Sequence, residues 1–394
     1  MSQVVYGVNI SLADLFFILV LMFLVFKNEL VFPSVPMLFF LILSVTVLTT
    51  ASFFVPAKFP YVADFMSIYV NYIKIIVVFL YFIVGYNLAR LNMAEFVLKW
   101  YALFSLLIGV VSVIFLFFNI NFLSKWLMFG NVRLKGLMND PNYFSIIQVS
   151  AIAYFSRTTE IQNVYRMAAL FFLTLSVLAS GSKTGTVILI VYAVFRMLEY
   201  FTVFRNKKGL VMFGFSGLLL LAISLVLNTS HILNAIANFA PAFSRIETLF
   251  IDFNSAISEG GSGRDKSWEN AVEIIKISPI IGIGVGTYGD VANILFGDRT
   301  IAHNTYLQLC VEWGVPLSIL CFIYIFNLIS KITFSSKLKL SNYYVFRDII
   351  IIFLIGSLSI SLNNARMFWL FLGVTLLIIK NNREVLKNWK QKSL

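Results

Sequence analysis

Apolar runs of membrane-crossing length recur along nearly the whole chain. They lie at about 11–26, 36–55, 66–88, 99–118, 142–156, 164–180, 182–199, 210–228, 303–330, 345–361 and 364–380. A hydrocarbon core needs roughly 20 apolar residues of helix to span it. A helix satisfies its own backbone where no water is available. The fifth to seventh runs are short for a full crossing and are expected to be tilted, broken or divided differently. Composition excludes the alternatives. The chain is 60% hydrophobic and only 12% charged, with mean hydropathy +0.89, whereas soluble domains run near ~45–50% apolar and ~25% charged. The expected fold is all-α: a polytopic integral membrane protein of about 11 (10–12) transmembrane helices, with 1–394 as a single transmembrane domain.

The net charge of +12 would point to nucleic acid in a soluble protein. Here the cations have a topological explanation, because cytoplasmic loops collect Lys and Arg. Arg196, Arg205, Lys207 and Lys208 follow the seventh run. Lys331, Lys337, Lys339 and Arg347 follow the ninth, and Lys380, Arg383, Lys387, Lys390 and Lys392 occupy the tail. Eleven spans put all three clusters on one side, the cytoplasmic one. The long polar segment 229–302 then forms an extracytoplasmic loop. No basic region precedes the first run, so that run is expected to stay in the mature chain. Cys310 and Cys321 are too far apart on one helix to form a disulfide.

Three polar constellations fall on the outer side. Asn139-Asp140-Pro141-Asn142 is a helix start, with Asp140 or Asn139 as cap and Pro141 in the first turn; Arg133 lies just upstream. Entry into the fifth run and contact with substrate account for it equally well. Ser180-Gly181-Ser182-Lys183 lacks the first glycine of a phosphate loop and lies away from nucleotide, which excludes a nucleotide triphosphatase. It reads either as a tight turn with a snorkelling lysine or as amides and an ammonium facing an anion. The third constellation runs through Ser262-Gly263-Arg264-Asp265 to a stretch with Trp268, Val272 and Ile275 at helical spacing, expected to lie at the membrane interface. Gly282, Gly284 and Gly286 follow, then Tyr288, then His303-Asn304-Thr305-Tyr306. With no strand–helix–strand unit around them, the alternate glycines are not a dinucleotide fingerprint; they serve close backbone packing. Asp265 reads as solvated rather than as orienting Arg264. The outer loop carries five cations and eight anions, so it is no general polyanion surface.

The chain has two histidines, His231 and His303. It has no Cys/His cluster, His-Glu-x-x-His or Asp-x-Asp pair, so a metal site is not expected. Lys74 lies mid-run, and Glu312 lies about 13 Å into the ninth run at 1.5 Å per residue. Charges at that depth are functional candidates by default. A buried pair, or an interfacial glutamate placed by the break at Gly314 and Pro316, is the stronger reading.

The spacing of Ser262-Gly263-Arg264, Trp268, Ser278-Pro279-Ile280-Ile281-Gly282-Ile283-Gly284, His303-Asn304-Thr305-Tyr306-Leu307-Gln308 and Glu312-Trp313-Gly314 resembles the O-antigen ligase/polymerase family. The Asn139–Asn142 and Ser180–Lys183 segments look like two weaker motifs of that family. The resemblance implies a metal-independent, inverting glycosyltransferase without a cofactor, in the bacterial inner membrane, with its active site facing the periplasm or exterior. It implies an undecaprenyl-diphosphate-linked oligosaccharide as donor, a glycan or lipid-linked acceptor, and a chain-length regulator as a candidate partner; nucleic acid has no place in it. By resemblance Arg264 stabilises the diphosphate and His303 is the base or orienting partner for the acceptor hydroxyl. Lys183, Asn304, Asn142, Arg133 and Tyr288 are candidates for contact with diphosphate or glycan. The family usually has Arg where Lys183 stands; lysine supplies a point charge but not a fork.

The chemistry fits the residue types. A departing diphosphate develops negative charge that Arg and backbone donors stabilise, and an imidazole suits removal of a hydroxyl proton. A polymerase of O-antigen or capsule repeat units is favoured, because polymerases are the most numerous and divergent members. A ligase transferring polymer to a lipid A core is the alternative. A flippase would call for repeated halves and paired midplane carboxylates, which the sequence lacks.

Overall fold

The computed structural model describes residues 2–5, 8–59, 64–118, 122, 124–130, 132–203, 264–299, 301–334 and 341–392. The eighth apolar run, His231 and the Gly260-Gly261-Ser262-Gly263 stretch lie outside them. The described residues are mostly helical and fall into two compact units, Met1–Trp100 with Gly263–Leu394, and Tyr101–Ser262.

The first unit opens with a short antiparallel hairpin, β1 (Ser2–Val5) and β2 (Val8–Ser11). The helices α1 (Leu12–Phe26), α2 (Ser34–Lys58) and α3 (Phe65–Arg90) follow. After residue 263 come α9 (Arg264–Ile277), α10 (Tyr288–Phe296), α11 (Thr305–Trp313), α12 (Val315–Thr333), α13 (Ser341–Gly356) and α14 (Arg366–Lys392). Helix α4 (Ala94–Phe117) carries the boundary between the units. The second unit adds α5 (Ser124–Leu127), the minimal hairpin β3 (Met128–Phe129) and β4 (Arg133–Leu134), then α6 (Pro141–Arg157), α7 (Asn163–Ala179) and α8 (Lys183–Val203).

Among the described residues, four helices are long and apolar enough to cross a membrane: α2, α3, α4 and α12. The fifth, sixth and seventh apolar runs are three separate helices, α6 to α8. The ninth run, expected as one span over 303–330, is two helices. Helix α11 ends at Gly314, whose φ of 81° suits glycine far better than any other residue. Pro316 then sits in the first turn of α12, where its missing N–H costs nothing. A Cβ at Gly314 would lie 2.1 Å from the Ile280 carbonyl oxygen, so the break is also a packing point. The two cysteines thus sit on different helices, and both are free thiols.

In the first unit α3 and α14 make the most extensive helix pairing. Two glycines let the backbones touch: a Cβ at Gly85 would sit 2.0 Å from the Leu370 carbonyl oxygen, and one at Gly373 2.0 Å from that of Phe82. Lipid tails supply no hydrophobic force between helices, so such close small-residue packing holds membrane helices together. Arg347, expected among the loop cations after the ninth run, is buried on α13 instead. It pairs with Asp348 at 2.7 Å and lies over the Tyr344 ring. An ion removed from solvent needs such a partner, so Arg347 drops out of the charge count that orients the chain.

In the second unit α6 is central and buried along most of its length. Its one long polar side chain there is Gln148. That amide donates to the Ser105 carbonyl at 3.0 Å and accepts from Ser176 Oγ at 3.0 Å, linking α4, α6 and α7.

Candidate functional site

The helix starts in the second unit form as the sequence expects, and they meet. Asp140 caps α6, accepting from the amides of Asn142 at 2.6 Å and Tyr143 at 3.1 Å, with Pro141 in the first turn. Ser182 caps α8, accepting from the Gly185 amide at 2.9 Å. The two caps are joined by Asn142 Oδ1, which accepts from Ser182 Oγ at 2.8 Å. Arg133, on β4, donates through Nε to the Ser180 carbonyl at 3.0 Å and reaches Asn142 Oδ1 at 3.5 Å. Gly185 brings the helices together, since a Cβ there would sit 2.2 Å from Ser145 Oγ. The Asn139–Asn142 and Ser180–Lys183 segments therefore form one cluster, which gathers Arg133, Asn142 and Lys183. Lys183 is the first residue of α8, where backbone N–H groups point outward and favour an anion.

In the first unit Arg264 opens α9. This helix is amphipathic, but the face buried in protein is Ser267, Asn270, Ala271 and Ile274. It is turned about one residue from the expected Trp268, Val272 and Ile275 face, and Val272 is left exposed. Asp265 is half-buried, with its Oδ1 shielded from solvent and accepting no hydrogen bond among the described residues. The segment after α9 runs along the end of α11. Ile283 donates to the Val311 carbonyl at 2.8 Å, Gly284 to that of Glu312 at 3.0 Å, and Val315 to that of Pro279 at 2.8 Å. Gly284 shows why glycine is required here. Its φ is +76°, and a Cβ would stand 2.5 Å from the Ala51 amide nitrogen, where α2 makes a π-helical turn over Thr50–Phe54.

His303 is exposed and has a left-handed backbone, φ 47°. Only a small share of non-glycine residues adopt this conformation, and it persists where neighbours impose it. The neighbour here is Asn304, the cap of α11. Its Oδ1 accepts from the Leu307 amide at 3.1 Å, and its Nδ2 donates to the Leu358 carbonyl at 3.0 Å. The Asn304 amide thus has both ends engaged within the protein, and it fixes the backbone that presents His303.

A cavity of about 840 Å³ opens in the same unit, within the ~300–1,000 Å³ usual for small-molecule sites. Of the residues singled out from sequence it takes in Tyr288, on α10; Arg264, His303 and Asn304 do not line it. Burial, and the nearby Glu312 carboxylate, push the Tyr288 phenol above the ordinary tyrosine range. It stays protonated at neutral pH and acts as a hydrogen-bonding group, not a base. One wall is a stripe along α3 and its cap: Asp64, Ser67, Asn71 and Lys74. Opposite stand Gln308 and Glu312 of α11, joined by a 2.8 Å hydrogen bond from Gln308 Nε2. Lys74 donates to Asn71 Oδ1 at 3.0 Å, and its charge interacts with that of Glu312. The buried-pair reading of these two charges is thus half of the matter, since the pair faces a cavity. Arg299 pairs with Asp290 at 3.0 Å at the cavity wall, and Asn363 and Asn364 complete it. Among the described residues no three His, Cys, Asp or Glu side chains are grouped to hold a metal ion.

No curated protein matches the chain. Residues 168–322 match the family model described as O-antigen ligase. That stretch runs from α7 into α12 and includes Lys183, Arg264, Tyr288, His303 and Asn304, while Arg133 and Asn142 precede it. Over residues 168–322, which carry these motifs, the chain is similar to the O-antigen ligase family.

Proposed function

We propose that the protein is a glycosyltransferase that joins undecaprenyl-diphosphate-linked repeat units into a surface polysaccharide, at the outer face of the bacterial inner membrane. The family match carries this reading, and the arrangement of His303 supports it. An acceptor hydroxyl oxygen bonds to the anomeric carbon of the donor glycan from the face opposite the diphosphate, with inversion. The anomeric C–O bond breaks, and the diphosphate leaves on its undecaprenyl chain. The hydroxyl proton passes to His303, whose backbone position is set by its left-handed conformation and its capped neighbour. Arg264 stabilises the charge on the leaving diphosphate. Within the second unit, Arg133, Lys183 and the amides at the start of α8 form a cationic surface of their own, whose chemistry suits a phosphate. Cations and oriented amides supply this stabilisation without a metal, so turnover is expected to persist in EDTA. Loss of activity on chelation, restored by one divalent ion, would end the metal-free reading.

The family model is described as a ligase, which favours transfer of finished polymer to a lipid A core as the second reading. Reconstitution with a defined undecaprenyl-diphosphate repeat unit separates the two. Ladders of lengthening product are the expected result. Transfer to a lipid A core with no ladder would make the protein a ligase.

A further inference from the structure

The cavity between α3, α10 and α11 has a chemistry unlike that of a diphosphate site. Three carboxylates, Asp64, Asp290 and Glu312, face two cations, Lys74 and Arg299. Both cations are already engaged, Arg299 with Asp290 and Lys74 with Asn71 and the field of Glu312. A polyanion placed here finds carboxyl groups and no surplus of positive charge, in surroundings that screen poorly. What the walls do offer is carboxamide. Asn71, Asn293, Gln308, Asn363 and Asn364 all line the space. Each carboxamide has a donor end and an acceptor end, the pairing that suits hydroxyls, which also donate and accept.

Gln308 supplies the most specific observation. It is 7% exposed, its Nε2 is held by Glu312, and its Oε1 is buried with no hydrogen-bond partner. Leaving a buried acceptor unmet costs about 1–3 kcal/mol, so such an atom on a cavity wall points to a donor that arrives with a ligand. Ser361 Oγ, on the same wall, is likewise buried and unmatched. Lys74 adds a second argument. An ammonium within an apolar helix is costly unless it faces a polar space, and Asp64, Ser67, Asn71 and Lys74 are spaced three, four and three residues apart, one face of α3.

We infer that this cavity is a saccharide subsite, which takes an uncharged or amino-bearing stretch of glycan and excludes the diphosphate. The inference rests on the glycosyltransferase reading for its role in turnover, but not for binding. The glycan can come from donor or acceptor, since both carry the same sugars.

The test uses the full chain purified in detergent and two probes: the repeat-unit oligosaccharide released from its lipid by mild acid, and bare undecaprenyl diphosphate. Asn71→Ala and Glu312→Gln should each weaken oligosaccharide binding at least tenfold while leaving carrier binding within twofold. Asn364→Ala, at an exposed wall position, guards against misfolding and should weaken oligosaccharide binding about threefold with an unchanged melting temperature. Unchanged oligosaccharide affinity in all three variants would overturn the inference, and so would loss of carrier binding in Asn71→Ala or Glu312→Gln. In transfer assays a raised KM for acceptor alone assigns the subsite to the acceptor, and one for donor alone to the donor; either outcome supports it. Wild-type protein that binds the oligosaccharide but transfers nothing defeats the glycosyltransferase reading and leaves the subsite standing. Active wild type with variants that bind normally does the reverse.

Discussion

The two polar regions use opposite chemistry. In the second unit, Arg133, Lys183 and two helix starts bring cationic side chains and outward-pointing amides together, while the Asp140 carboxylate is spent on its cap. In the first unit, the cavity is rich in carboxamides and its carboxylates outnumber its cations. Phosphate is gripped by cations and N–H groups, while sugar hydroxyls need partners that both donate and accept. The difference teaches that the two units carry polar surfaces suited to different chemistry, one to anions and one to hydroxyl groups.

The largest effects should come from the residues assigned to bond-making. Arg264→Ala and His303→Ala are each expected to lower transfer by roughly 10²–10³, the usual cost of removing one preorganised donor or base. Product ladders from folded, purified variants measure this, with His231→Ala as a nearly silent control. Near-wild-type turnover in His303→Ala would remove the base assignment, and a dead His231→Ala would move it. Next, Arg133→Ala should weaken binding of bare undecaprenyl diphosphate roughly tenfold or more, since a charge-assisted hydrogen bond is worth about 1.5–3 kcal/mol. Oligosaccharide binding should hardly change. If Arg133→Ala weakened both ligands equally, the contrast between cationic turn and carboxamide cavity would collapse.

Two smaller effects test the scaffolds. Gly284→Ala forces a side chain into a left-handed backbone, about 1–2 kcal/mol, and into the Ala51 amide. The melting temperature should fall and oligosaccharide binding should weaken with it, because Gly286 and Glu312 of the cavity wall flank this contact. Full stability in Gly284→Ala would show that α2 yields there. Asp140→Ala removes a cap and should cost about 0.5–2 kcal/mol, seen as a modest fall in melting temperature and weaker binding of the bare carrier. Unchanged carrier affinity in that variant would separate the cap from the cationic turn.

The second-unit cluster is largely legible from sequence because capping is local. Asp140, Pro141 and Ser182 act on amides two or three residues away, so a short window contains the whole interaction. The alternate glycines are legible for the same reason, and their close packing is what the structure contains. The cavity is not legible in this way, because its walls come from residues near 64–74, 286–312 and 361–364. Its trace in one dimension is the polar stripe at 64, 67, 71 and 74, with Gln308 and Glu312 one turn apart. Weighing Lys74 and Glu312 singly hides a pattern that helical spacing reveals. The break at Gly314 is marked in sequence by Gly314 and Pro316, but hydropathy averages across it, so a span count based on hydropathy runs two helices together as one.

The glycine-to-backbone contact of α3 with α14 has a consequence for the order of biosynthesis. Gly85 leaves the ribosome about 285 residues before its partner Leu370. The intervening second unit is continuous in sequence, so its helices can find one another while translation continues. The first unit must hold the Gly85 face of α3 without its partner until α14 arrives. A nascent chain stalled before residue 366 should therefore expose the Gly85 face of α3 and be the species that membrane quality control removes.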